Sequence, residues 1–226
     1  MTITGYSTAL YATWWYLEEW GLLFDCGDGA AASLQQKGRK VKTVAVTHAD
    51  RDHLSGLLQF LQLNTRGALP RIYYPADCGS FQALADFSLA FDPHQEGRPS
   101  WSPVRVGGRV SIGKGRFLTN LEYRSLLGYS GDAARPNAEL WENVPILIHE
   151  ATFLGDVRTR GLAEQHRHCL LSDVLAMAAN LSTATLILGH FSTRYSHEQI
   201  ADAVEEERER TKFQGRIVQV MPGETR

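Results

Sequence analysis

The chain has 226 residues and a formal net charge of −2, from 23 Lys and Arg against 25 Asp and Glu. That length buries a sizeable core, and no Pro/Ser-rich linker, repeat or low-complexity tract divides it, so one domain over residues 1–226 is expected. The near-neutral balance excludes the strongly basic footprint of a non-specific nucleic-acid binder, although a local patch stays open. Cys26, Cys78 and Cys169 form no CxxC pair and no even framework, which fits a reducing compartment. The first residues, MTITGYSTALYATWWYLEEWG, lack a basic n-region and carry Glu18 and Glu19, so neither a signal peptide nor a membrane span is expected and the location is taken as cytoplasmic.

In chain order, TWWYLEEWGLLFDCGDG reads as two strands and a turn, the second strand covering Leu22 to Asp25. VKTVAVT is rich in β-branched residues and reads as a buried strand from Val41 to Thr47. HLSGLLQFLQLN places Leu54, Leu57, Leu58 and Leu61 at helical spacing. SFQALADFSLAF reads as a helix capped by Ser80, and GRVSIGKGRFLTNLEYRS as strands punctuated by glycine. VPILIHEATF is an apolar strand ending in His149 and Glu150. SDVLAMAANL is helical, and TATLILGHFS is a strand ending in His190. SHEQIADAVEEERER is a helix with Ser196 as cap and Gln199 in the capping-box position, and RIVQVM is a last strand. The mixture places the chain in the α/β or α+β class.

The polar residues fall in a pattern. His48, Asp50, Asp52 and His53 crowd a tight loop between a strand and a helix, where α/β proteins build their sites. Asp132, Glu150 and His190 each end or follow another apolar run. His and carboxylate together are ligands for zinc and related divalent metals.

These residues resemble a family. THADRDH resembles the HxHxDH signature of metallo-β-lactamase-fold hydrolases, and YSGDAARP their later aspartate motif. LGHFSTRY is similar to the last histidine motif of ribonuclease Z, the tRNA 3′-end endonuclease; IHEATF is similar to the HEAT segment of that subfamily. HCLLSDVLAMAA resembles the following HST segment with only its histidine kept, as His168, and LLFDCGDGA resembles the early strand and glycine turn. The resemblance runs from about residue 7 to the C-terminus and is weakest across residues 64 to 116. It implies an αββα sandwich, two mixed sheets flanked by helices, and hydrolysis at a site for one or two metal ions, with zinc, manganese or magnesium as candidates. It implies that Asp52, His53 and His190 hold one metal, that Asp132 bridges, and that His48 serves the other. His168, oriented by Glu150, would protonate the leaving oxygen, and Asp52, Glu150 and His168 make up the catalytic group.

The sequence departs from the family at two places. The second histidine of HxHxDH is Asp50, and the mid-chain histidine before a Gly-Tyr pair is absent: Glu122 or Tyr123 falls there, which makes Glu122 a candidate oxygen ligand. The altered position then holds a harder metal, stays empty, or belongs to a decayed site. The interval from His53 to Asp132 is short for the middle hairpins plus the arm with which ribonuclease Z grips tRNA. The expected activity is a phosphodiesterase or endoribonuclease, with hydrolysis of a small ester or lactone, or binding without catalysis, as alternatives. RNA is one candidate substrate, a membrane partner is not expected, and a homodimer is open.

Arg194, in STRY, is a candidate phosphate contact because its fork matches two oxygens, against a surface ion pair. His149 is expected to be structural. His94, His166 and His197 are expected in surface or first-turn positions, EEERER on a solvated helix face, and Trp14, Trp15 and Trp20 in apolar packing.

Overall fold

A computed structural model describes residues 1–65, 67–105, 107–113, 116–119, 126–155 and 157–225. Its contacts divide the chain into two units: Met1–Tyr6 with Leu10–Glu122, and Ser7–Ala9 with Tyr123–Thr225.

Strands β1 (Ile3–Thr8), β2 (Ala12–Leu17), β3 (Leu22–Phe24), β4 (Thr43–Ala45), β5 (Arg71–Pro75) and β6 (Trp101–Val104) form a six-stranded sheet in that order. β2 and β3 run antiparallel, and β3 through β6 are parallel. Helices α1 (Ala30–Leu34), α2 (Arg51–Leu54), α3 (Leu57–Asn64) and α4 (Ser80–Phe91) accompany them. The core of this unit gathers Trp14, Tyr16, Leu23, Val44, Leu57, Phe60, Ile72 and Phe81. Side chains of this size stabilise by about 1.5–3 kcal/mol each when fully buried. A hairpin of β7 (Arg109–Gly113) and β8 (Arg116–Thr119) follows.

In the second unit β9 (Gly128–Tyr129), β10 (Ile146–Glu150), β11 (Thr185–Gly189) and β12 (Arg216–Gln219) form an all-parallel sheet in the order β12-β11-β10-β9. Helices α5 (Val157–His166), α6 (Leu171–Ala178) and α7 (His197–Thr211) alternate with these strands. Parallel strands read as near-continuous apolar runs because both faces are covered. Leu186, Ile187 and Leu188 of β11 are buried accordingly, with Val174 and Leu175 of α6 and Ile200 and Val204 of α7. The capping box of α7 is present: the Ser196 hydroxyl accepts from Gln199 N at 3.2 Å, and Ser196 N donates to Gln199 Oε1 at 2.8 Å.

Several expectations shift. The strand expected over 41–47 is cut to Thr43–Ala45, because Thr47 N donates to the Asp25 carboxylate at 2.7 Å instead of to a neighbouring strand. The helix after His53 is two pieces broken at Ser55 and Gly56. A Cβ on Gly56 would lie 2.2 Å from Gly27 O, and one on Gly27 would lie 2.2 Å from Asp52 O, so only glycine allows this close approach of backbones. Ser80 is not a cap. Gly79 is, its carbonyl accepting from Ala83 N, and no side chain caps the helix. Strands β1, β5 and β6 and helix α5 had no clear signal in the sequence. Among the described residues no helix is long and apolar enough to cross a membrane.

Candidate metal centre

In the first unit the site is built on Asp25, just past the end of β3. Asp25 is fully buried and sits at φ +54°, in the left-handed region. Its Oδ1 accepts from Thr47 N at 2.7 Å and from the Thr47 hydroxyl at 3.0 Å. Its Oδ2 is 2.9 Å from Nδ1 of His53, which is itself fully buried. The Thr47 hydroxyl also lies 2.9 Å from Nδ1 of His48. The backbone fixes the same geometry: Cys26 N donates to His53 O at 2.7 Å and Gly56 N to Cys26 O at 2.9 Å. The glycine turn thus pins α2, which carries Asp52 and His53.

These bonds assign the tautomers. A carboxylate only accepts, so His53 donates from Nδ1. Thr47 spends its single proton on Asp25, so towards His48 it accepts, and His48 also carries its proton on Nδ1. In the neutral rings Nε2 then bears the lone pair. His53 Nε2 lies 3.6 Å from Asp52 Oδ2, and His48 Nε2 lies 3.6 Å from Asp50 Oδ2. The two rings are 4.1 Å apart, centroid to centroid. Asp50 is three-quarters exposed and sits at the N-cap of α2 without a side-chain capping bond.

The second unit repeats the arrangement around Glu150, the last residue of β10. Glu150 is buried, and its carboxylate meets five donors among the described residues. Ala133 N (3.0 Å), Cys169 N (2.9 Å) and His168 Nδ1 (3.3 Å) meet Oε1, while Thr152 N (3.1 Å) and the Thr152 hydroxyl (2.7 Å) meet Oε2. Burial opposes its charge, but the bonds from His168 and Thr152 and the nearby imidazoles of His190 and His168 outweigh it, holding the carboxyl below its usual range. Thr152 Oγ1 lies 3.0 Å from Nδ1 of His190, which follows β11 at φ +62°. His190 Nε2 is 3.4 Å from Asp132 Oδ1. Asp132, His168 and His190 each offer a ligand atom within 4.8 Å of the others.

The donor chemistry fits a divalent metal. Three imidazoles have Nδ1 engaged, as ligating histidines do, and each Nε2 faces a carboxylate oxygen at 3.4–3.6 Å. Two donors about 2.0–2.1 Å from one tetrahedral ion stand roughly 3.3 Å apart. Lone pair facing lone pair at this distance is an arrangement that a cation stabilises.

The remaining candidates sort as follows. Arg194 stacks over the Phe153 ring, 5.0 Å from its centroid, and its Nε donates to Ser192 Oγ at 3.1 Å. Phe153 meets the His168 ring edge-on at 6.3 Å. His168 also lines a cavity of about 510 Å³ with Arg135, Arg160, Glu164 and Asp173. A larger cavity, about 640 Å³, lies beyond the C-terminal ends of β4, β5 and β6 and is lined mainly by apolar side chains. His149 is buried, and its Nδ1 donates to Glu150 O at 2.7 Å; burial lowers its pKa and keeps it neutral and structural. His94, His166 and His197 are exposed, and Trp14 and Trp15 are core residues. Glu122 lies outside the described residues. Sequence reasoning missed Asp25, Thr47 and Thr152; the aspartate was visible only as part of a glycine turn.

A ribonuclease Z of Pyrobaculum neutrophilum is 31% identical to the chain over 248 aligned positions, covering 84% of this chain and 85% of that protein. The chain belongs to the ribonuclease Z family. As a member of this family it is a metal-dependent hydrolase. The alignment is longer than the part of this chain that enters it, so the relative carries segments absent here. No protein-family model matches the chain. The metallo-β-lactamase fold protein YhfI from Bacillus subtilis matches with a TM-score of 0.70 across 100% of both chains, at 16% identity. Human tRNase Z, short form, matches with a TM-score of 0.68 across 100% of this chain and 98% of that one, at 17% identity. These likenesses establish the metallo-β-lactamase fold, as the sequence led us to expect.

Proposed function

We propose that this family member cleaves phosphodiester bonds of RNA, with Asp52, His53, Asp132 and His190 holding a zinc ion and with His48 and Asp50 contributing to a second position better suited to manganese or magnesium. This ligand set is the one that the sequence resemblance implies for a single domain of residues 1–226. A divalent ion there supplies Lewis acidity at phosphoryl oxygens and lowers the pKa of water toward neutrality.

The observation that carries the reading is the Glu150–His168 pair. A ribose oxygen leaves as a poor alkoxide unless it is protonated. Glu150 accepts from His168 Nδ1, which leaves Nε2 to carry and deliver that proton. An ester or lactone with a good leaving group needs no such acid. Arg194, held flat on Phe153, and Arg135 and Arg160 around the cavity beside His168 offer cationic contacts for the phosphates on either side.

The test is turnover of a 3′-extended RNA hairpin and of bis-p-nitrophenyl phosphate by zinc-loaded protein, against p-nitrophenyl acetate and a lactone. Cleavage of both phosphodiesters is expected. Hydrolysis of the acetate or the lactone alone would overturn the reading.

A further inference from the structure

The side chain joining the metal ligand to the acid pair is a threonine. Thr152 lies two residues past Glu150, and its hydroxyl touches two partners, Glu150 Oε2 at 2.7 Å and His190 Nδ1 at 3.0 Å. A hydroxyl has one proton. The carboxylate already receives three backbone N–H groups and can only accept, so the proton goes to Glu150. Towards His190 the oxygen can only accept, which requires the proton of that ring to sit on Nδ1 and the lone pair on Nε2.

We propose that Thr152 is a positioning residue that couples His190 to Glu150, so that one buried carboxylate orients both the acid His168 and the metal ligand His190. The proposal rests on the function given above, but its geometry stands without any ion. Glu150, which is no ligand, acts on metal affinity through a single hydroxyl. Thr152 is buried, so water does not compete for either bond. Its own N–H also donates to Glu150, which fixes the side chain from both ends. Thr47 holds the corresponding place between Asp25 and His48.

The experiment compares wild type with Thr152→Val and Thr152→Ser. Long-range ¹H–¹⁵N correlation spectra of metal-free, ¹⁵N-labelled protein read the His190 tautomer. Competition with a chromogenic chelator reads zinc affinity. Wild type and the serine variant should show the Nδ1–H form. The valine variant should lose that preference and bind zinc about 10–100-fold more weakly, as when an outer partner of a ligating histidine is removed. Rescue by serine separates the hydroxyl from a packing effect of the side chain.

An Nε2–H tautomer in wild type overturns the proposal, whether or not the valine variant folds. So does a folded valine variant with unchanged tautomer and zinc affinity. Failure of zinc-loaded wild type to cleave bis-p-nitrophenyl phosphate would sink the function and leave the coupling intact, so the two failures are distinguishable.

Discussion

Asp25 in the first unit and Glu150 in the second carry out the same task with different donors. Each is a buried carboxylate beyond or at the end of a strand. Each accepts from the N–H and the hydroxyl of one threonine, Thr47 or Thr152, and that hydroxyl accepts from one histidine, His48 or His190. Each also accepts Nδ1 of a second histidine, His53 or His168. The difference lies in the rest. Glu150 takes two further backbone N–H groups, from Ala133 and Cys169, and so ties together three loops. In the proposed function the first centre orients the ligands His48 and His53. The second is also a structural knot, and the proposed function gives the histidine on it the role of the acid.

The largest expected effect separates the two histidines on the carboxylates. His168→Ala should keep its metal and lose about 10²–10⁴-fold in turnover of RNA, with much less loss on bis-p-nitrophenyl phosphate, whose leaving group needs no proton. His53→Ala should lose metal. Elemental analysis and the two turnover assays decide it, and an equal loss on both substrates would mean that His168 is not the acid.

A smaller effect comes from isosteric amides. In Glu150→Gln the new NH₂ must face at least one backbone N–H, which cannot turn away. In Asp25→Asn it can face His53 Nδ1, which can lose its proton to the other nitrogen. Glu150→Gln should therefore destabilise the metal-free protein more, by about 1–3 kcal/mol in urea unfolding. Asp25→Asn should instead weaken zinc binding about 10–100-fold, because its His53 then carries hydrogen on Nε2. The reverse ranking in unfolding would show that the extra donors on Glu150 carry no weight.

The smallest effect is at Asp50, which is three-quarters exposed. Asp50→His exchanges a hard oxygen for imidazole and should raise zinc-supported relative to manganese-supported activity, with metal on Asp52 and His53 unchanged. Parallel titrations of metal-free wild type and variant measure it. An unchanged ratio with unchanged binding would mean that residue 50 does not touch a metal.

The sequence singled out His48, Asp132 and His190 among the proposed ligands because each ends or follows an apolar run, and the resemblance supplied the rest and their order. Asp25, Thr47 and Thr152 were not legible as site residues. Asp25 meets His53 across 28 positions of chain, and Thr152 meets His190 across 38, so no local period or spacing records either pairing. The fold was legible where strands are apolar along their whole length, as at β10 and β11. It was not at β5 and β6, where Arg71 and Pro103 interrupt the pattern. At the ends, a side chain overrode propensity: Thr47 leaves its strand for a carboxylate that local sequence does not show.

The left-handed backbones of Asp25 (φ +54°) and His190 (φ +62°) decide how variants there should be read. Asp, Asn and His visit this region several-fold more readily than other non-glycine residues. Alanine gains no such tolerance and has roughly 1–2 kcal/mol of backbone strain to bear there. An alanine scan would therefore report loss of the side chain's role and main-chain distortion as one number at these two positions and as a single effect at His48 or His53. Asparagine at 190 keeps the turn and removes the imidazole, and glycine relaxes the turn while removing it. The gap between those two variants measures the cost of the conformation, and what they share measures the ligand.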